Sequence, residues 1–317
     1  MQRKAFTFEF EAVPPYCFDL TVHKPAGWWW STPNEVFQKR VLWTTVRVDS
    51  CLYGLRLRAA ESSRKRQIVS CTVYSDKKLS GLEKDSLASN VERALGVKED
   101  INEFYLIGRR DKILQHTIDD LWGMRTVAWP ELFPALILAV TLQMAPMKRS
   151  NQMMDLLIAN FGDNVHFGGK TIAHWPSADR IAELGVNELE GKAKLGYRAK
   201  SLISIARALR DGFPTADELL RMSPNEAKKQ LMTLHGIGDY SAELIMPGMG
   251  FPLDVWSAKI FGLLFLGEEP QDPRDAIPEL KKMAIERWGK WRGHAFVYVL
   301  NDLPMISKGF GVDLTNF

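Results

Sequence analysis

The feature that most limits how this chain can fold is a change of hydrophobic period near residue 85. Before it, segments 6–10, 41–48, 52–58 and 67–74 alternate at period two. After it, apolar residues recur at helical spacing to about residue 300. Period two puts alternate side chains on opposite faces of a strand; a period of 3.6 draws one apolar stripe along a helix. Strands gathered at one end and helices at the other predict an α+β protein. We expect an antiparallel β domain over residues 1–84, with one face solvated, and a helical region over 85–317. Pro14-Pro15, Pro25-Ala26-Gly27 and Lys77-Lys78 mark breaks between the strands.

Helices are predicted over 86–95 with a stop at Gly96, over 131–144, over 148–161 with a stop at Gly162, and through Leu209 to near Gly212. The 131–144 segment is apolar nearly all round and should be buried. Further helices are expected after His174-Trp175-Pro176-Ser177-Ala178, from Val255, over 276–288 and over 291–300.

Composition excludes more than it assigns. The chain has 317 residues, enough for two domains, with 46% hydrophobic and 25% charged residues. A net charge of +3 does not announce a nucleic-acid binder, so any basic stripe has to be local. Cys17, Cys51 and Cys71 are far apart and form no CxxC pair, which argues against a disulfide framework or a four-thiolate cluster. No signal-peptide core or membrane-length apolar run is found. An intracellular, reduced, monomeric protein away from the membrane is expected.

The chemistry concentrates in residues 231–259. Ser223-Pro224-Asn225-Glu226 has the form of a capping box with proline at the first helical position. Gly236 and Gly238 bracket Ile237, and glycine permits positive φ and close backbone approach. A second helix over about 239–246 stops at Pro247, and free N–H groups at such an end favour an anion. A lone carboxylate, Asp254, follows. It can act as an N-cap for the helix beginning at Val255, or as a fixed charge between apolar neighbours.

Leu234-x-Gly236-Ile237-Gly238-x-x-Ser241-Ala242 followed by Asp254 resembles the helix-hairpin-helix plus Gly/Pro-Asp (HhH-GPD) signature of base-excision DNA glycosylases. Within that superfamily it is similar to the 3-methyladenine DNA glycosylase II family. The runs from Leu95 to Arg125, Leu195-Gly196-Tyr197-Arg198-Ala199-Lys200 and Trp288…Trp291-Arg292 resemble the same family. The resemblance covers about 85–300 and implies a mostly helical glycosylase body, with the hairpin at about 224–246, the catalytic loop at 247–256 and a small antiparallel domain before it.

The resemblance implies roles for particular residues. Asp254 is the catalytic carboxylate. Tyr240 stands where lyase-active relatives carry a lysine, and a phenol cannot form a Schiff base; this implies water as nucleophile and an abasic-site product. Tyr240 offers an aromatic face to the base, or packs the hairpin. Trp256 and Trp30 are further candidates for the base pocket, with core packing as the alternative for the Trp28-Trp29-Trp30 run. Met144, preceded by Gln143, matches the side chain that plugs the duplex where the target nucleotide has left, or else caps the core. N–H groups of Gly236, Gly238, Tyr240 and Ser241 would hold phosphate, with the Ser241 hydroxyl as an extra donor. Arg198 and Lys200 steady the fold or approach phosphate; Arg64-Lys65-Arg66 reads as a solvated loop or a phosphate contact. Carbonyls of Met232, Leu234 and Ile237 match those that hold K⁺ or Na⁺ in relatives. No cofactor is required, and no cysteine follows Cys71 to hold an iron–sulfur cluster.

The partner implied is double-stranded DNA with a damaged base, and the leading substrate class is alkylated purines. The alternatives are 8-oxoguanine or a deaminated purine, and a non-catalytic hairpin module that binds DNA. One departure stands out: Gly238 and Asp254 are 16 residues apart, about five fewer than in many relatives, or roughly one helical turn and a short loop. The turn Pro247-Gly248-Met249-Gly250 has to compensate. A basic stripe is expected around the hairpin.

Overall fold

The computed structural model describes residues 3–62, 66–126, 129–246 and 250–315. Five strands form an antiparallel sheet: β1 (Arg3–Ala12), β2 (Val36–Gln38), β3 (Val41–Val48), β4 (Cys51–Ser62) and β5 (Gln67–Ser75), in the order β1-β5-β4-β3-β2. A short helix, α1 (Phe18–Val22), follows β1. On the inner face Leu42, Val46, Leu55, Leu57, Val69 and Val73 are buried, in keeping with alternation along each strand. Helix α2 (Gly81–Leu95) covers that face with Leu87, Val91, Ala94 and Leu95. The packed unit therefore runs past residue 84 to Val97.

Helix α2 starts five residues before the expected 86. Ser80 and Glu83 make a capping box, with Glu83 N–H donating to Ser80 Oγ and Ser80 N–H to the Glu83 carboxylate. Helix α3 (Asn102–Gly108) leads into the helical body. Arg125 ties that body to the sheet unit. Its buried guanidinium donates to the carbonyls of Val13, Pro15, Gly96, Glu99 and Gly123.

The body comprises α4 (Leu132–Thr141), α5 (Met147–Phe161), α6 (Ala178–Glu183), α7 (Val186–Ala193), α8 (Arg198–Arg210), α9 (Ala216–Arg221), α10 (Pro224–Leu231), α11 (Asp239–Ile245), α12 (Val255–Leu266), α13 (Pro273–Trp288), α14 (Arg292–Asn301) and α15 (Leu303–Phe310). It has two hydrophobic cores. The first joins α4, α5, α8, α10 and α11. The second joins α3, α12, α13 and α14, together with Phe251 and Leu253.

Between α5 and α6 lies a hairpin absent from the sequence reading, β6 (Asp163–Phe167) and β7 (Lys170–His174). Gly168 and Gly169 both have positive φ at its turn, which is the chemistry a two-residue hairpin needs. Phe167 lies flat over Gly54, where any Cβ would meet its ring at 2.5 Å. His174, fully buried, bonds Thr45 Oγ1 through Nδ1 and approaches Glu131 through Nε2. The hairpin thus fastens the body to β3 and β4.

Candidate functional site

Helices α10 and α11 and the seven residues between them form a helix-hairpin-helix unit. The expected capping box is present: Ser223 Oγ accepts Glu226 N–H, and the Glu226 carboxylate accepts Ser223 N–H and O–H. Ala227, Leu231 and Leu234 are buried. The two glycines differ in their demands. Gly236 has φ +84°, and a Cβ there would lie 2.8 Å from Ser201 Oγ on α8. Gly238 is extended (φ −101°, ψ −170°), a conformation open to any residue, and the space beside its Cα is empty. Only Gly236 needs glycine for the turn itself; at Gly238 what glycine leaves is open surface.

Helix α4 ends at Thr141 rather than 144, because the chain turns through Leu142, Gln143 and Met144. Met144 has φ +48° and is 79% exposed. An unbranched apolar side chain held outward on left-handed backbone is not a core cap; it projects from a turn that costs energy to hold. Gln143 turns the other way. Its Nε2 donates to Gly236 carbonyl (2.7 Å) and to Ser241 Oγ (3.1 Å). Arg198, buried, donates to the Gln143 carbonyl and lies over the Tyr197 ring. Arg198 therefore steadies the Met144 turn, while Lys200 is exposed. Ser241, 2% exposed, is turned inward to join the two loops, so its hydroxyl is not the outward phosphate donor expected.

Asp254 does both things its sequence context allows. Its Oδ1 caps α12, accepting Ser257 N–H (2.8 Å) and Ser257 Oγ–H (2.6 Å), and Asp254 N–H donates back to Ser257 Oγ (2.9 Å). Among the described residues nothing hydrogen-bonds Oδ2. Asp254 is half-buried at the end of a buried segment, Phe251-Pro252-Leu253. Tyr240 lies close by on the first turn of α11. Burial, and then the negative charge of Asp254, push its phenol well above the usual range, so it stays neutral.

Trp256 is 39% exposed on the first turn of α12, beside Asp254 in sequence. Trp30 requires a correction. It is 1% exposed in the core of the sheet unit, and its indole N–H donates to Ala94 carbonyl at 3.1 Å. It has no open face on which a base could stack. The sequence placed it among the pocket aromatics because a tryptophan run carries no sign of which ring faces inward. Its neighbour Trp29 packs against Trp129 and Trp175, and Trp28 is exposed.

No model of a known protein family matches the sequence. A DNA-3-methyladenine glycosylase of Bacillus subtilis (strain 168) is 24% identical over 225 residues, 68% of this chain and 72% of that one. A 3-methyladenine DNA glycosylase of Archaeoglobus fulgidus superposes with a TM-score of 0.71 at 18% identity, over 92% of this chain and 97% of the other. The apo 8-oxoguanine glycosylase/lyase of Clostridium acetobutylicum gives 0.68 at 16% identity, over 95% and 97%. The superpositions thus take in nearly the whole chain and not the helical body alone.

The chain has the helix-hairpin-helix DNA glycosylase fold.

In this glycosylase fold the three candidate cation-binding carbonyls lie on the segment that joins α10 to α11. Leu234 carbonyl already accepts Ile237 N–H (3.1 Å), which leaves it a second lone pair. Neutral oxygens of this kind suit a hard monovalent ion. The expected basic stripe is altered by pairing: Lys228 and Lys281 are each shared between Asp239 and Glu243. Burial works against the Asp239 charge, but hydrogen bonds from both lysines hold its carboxyl below the ordinary range. The Pro247-Gly248-Met249 part of the compensating turn, and Arg64-Lys65, lie outside the described residues. Among the described residues no helix is long and apolar enough to cross a membrane, and no group of three His, Cys, Asp or Glu could hold a metal.

Proposed function

We propose that this chain is a monofunctional DNA glycosylase of base excision repair that removes alkylated purines from double-stranded DNA. The observation that carries the reading is Asp254: one oxygen fixed by the helix it caps, the other open, beside a neutral Tyr240. Breaking the C1′–N bond sends the bonding pair to the base and leaves positive charge on the sugar. A fixed carboxylate stabilises that charge. Water then bonds to C1′ and gives up its proton to the carboxylate or to solvent. Tyr240 has no amine, so no imine forms and the strand is not cut.

The other expected roles fit around this step. The Met144 side chain fills the gap left by the flipped nucleotide. N–H groups of Gly236, Gly238, Tyr240 and Ser241 meet a phosphate at the open surface beside Gly238. Carbonyls of Met232, Leu234 and Ile237 would hold K⁺ or Na⁺, which would supply positive charge for the same phosphate. Tyr240 and Trp256 supply aromatic surface, which suits a cationic alkylated base. The Bacillus subtilis and Archaeoglobus fulgidus proteins are named for 3-methyladenine, which supports alkylated bases. The Clostridium acetobutylicum enzyme, solved also on duplex DNA with cytosine opposite 8-oxoguanine, keeps oxidised guanine as the second reading.

The test is base release from dimethyl sulfate-treated duplex and from an 8-oxoguanine duplex, with wild type and Asp254→Asn side by side. Methylated purine release by wild type, nicks only after alkali, and no borohydride-trapped adduct are expected. Nicking without alkali would overturn the monofunctional assignment. Equal release by Asp254→Asn would overturn the role of Asp254.

A further inference from the structure

Asp254 and the hairpin belong to different hydrophobic cores. Helix α11 packs into the first core through Ala242 and Ile245. Phe251 and Leu253 pack into the second, where the Phe251 ring meets Phe261, Trp288 and Phe296. A catalytic carboxylate at such a seam needs something to hold the two halves in register. Only five residues separate Ile245, the end of α11, from Phe251.

Glu243 on α11 spans the seam. Its Oε2 accepts the backbone N–H of Phe251 at 3.2 Å, three residues before Asp254. Leu253 N–H donates to Phe251 carbonyl at 2.9 Å, so Phe251 to Leu253 form one tight turn directly before Asp254. Glu243 is held in turn by Lys228 of α10 (2.7 Å) and Lys281 of α13 (2.8 Å). Both lysines also pair with Asp239 on the first turn of α11. One carboxylate therefore collects an amide from the catalytic loop and ammonium groups from both sides of the seam. The Glu243 side chain is only 12% exposed. Gly250 is the counterpart across this contact: a Cβ there would lie 2.5 Å from Glu243 Cγ and 2.6 Å from its Cβ. Glycine is what lets the loop lie against Glu243 closely enough for the Phe251 hydrogen bond.

We propose that Glu243 is the positioning residue for Asp254: seated against Gly250 and locked by Lys228 and Lys281, it sets how far the catalytic loop stands from the DNA-binding hairpin. The inference rests on the assignment of Asp254 as the catalytic carboxylate. Both charge and length matter. An ionised carboxylate accepts from an amide and two ammonium groups at once; a glutamine amide has one acceptor oxygen and turns its NH2 toward a lysine. Aspartate keeps the charge but withdraws it by one methylene from Phe251 N–H.

The experiment measures single-turnover base release from dimethyl sulfate-treated duplex, affinity for a duplex carrying an abasic-site analogue, and the thermal midpoint. The proteins are wild type, Glu243→Gln, Glu243→Asp, Gly250→Ala and the Glu243→Gln/Gly250→Ala pair, with Asp254→Asn as reference and Lys282→Met as a surface control. Each single change at 243 or 250 is expected to slow release by about 10–100-fold, the scale of an ångström misplacement. Affinity should stay within about twofold, because the hairpin surface is untouched. The double variant should be no slower than the slower single, since both changes break one contact. Glu243→Asp should keep the thermal midpoint of wild type but not its rate. Release at wild-type rate by Glu243→Gln overturns the proposal, whatever Gly250→Ala does, as does loss of rate only in step with lost affinity or folding. If wild type releases no base from this duplex or from an 8-oxoguanine duplex, the proposal falls together with the glycosylase assignment; if wild type releases base and Glu243→Gln is indifferent, it falls alone.

Discussion

Asp254 carries two duties on one carboxyl group, and its two oxygens divide them. Oδ1 caps α12, so the charge cannot swing away with rotamer motion; on the proposed function Oδ2 is left for the reaction. Asparagine is a good N-cap and can keep the first duty. Asp254→Asn should therefore leave the thermal midpoint within a degree or two while slowing release by ~10²–10³-fold, the usual scale for losing one electrostatic stabiliser. Single-turnover kinetics beside a melting curve checks both halves. Gly236 is the other residue whose identity is dictated by its place. With φ +84° and Ser201 Oγ where a Cβ would go, Gly236→Ala should cost about 1–2 kcal/mol from backbone conformation alone. Because the turn carries the carbonyl that Gln143 holds, affinity for abasic-analogue duplex should fall with it. Urea unfolding and binding at one fixed salt concentration test this.

The element that stands out is the turn after α4. Three contacts hold it down: Gln143 to Gly236, Gln143 to Ser241 and Arg198 to the Gln143 carbonyl. They offset the left-handed backbone of Met144 and leave its side chain exposed. Met144→Gly removes the strain and the proposed plug together. It should raise unfolding free energy by up to about 1 kcal/mol. It should also slow release from a fully paired lesion more than from a mispaired one, where opening the duplex costs less. A rate ratio between the two duplexes unchanged from wild type would argue against the plug. Helix α8 braces this turn through Arg198 and the hairpin through Ser201, so both loops stand on one helix.

On the scale of the whole molecule, a sheet unit and a two-core body are locked together by buried polar groups as well as by apolar contact. Arg125 gathers carbonyls from the segment after β1, the end of α2 and the start of the body. Removing it strands those acceptors. Arg125→Met is expected to cost about 3–5 kcal/mol, read as an earlier denaturant midpoint. His174, Thr45 and Glu131 make a second joint, and Phe167 over Gly54 a third. The seam that Glu243 spans lies within the body itself, so the site sits where two cores meet, not in the centre of either.

Much of this was legible along the chain because its causes are local. Alternation marks β3 and β5 nearly to the residue, Ser223-Pro224 and Glu226 mark the start of α10, and Gly236 marks the hairpin turn. Asp254 could be read as the N-cap of α12 because its partner Ser257 is three residues away, whereas its catalytic role came from the family resemblance. The Ser80–Glu83 box and the Gly168-Gly169 turn were equally local signals that went unread. What only the tertiary structure decided depends on which distant segments meet. Trp30 is a core residue because α2 closes over it, and no local pattern separates it from Trp28. Ser241 turns inward because Gln143, almost a hundred residues earlier, reaches it. Glu243 looks in sequence like any helix-surface acid. Its place at the seam appears only when α10, α13 and Phe251 converge on it, since a carboxylate's role is set by the charges and amides around it, and these come from three separate parts of the chain.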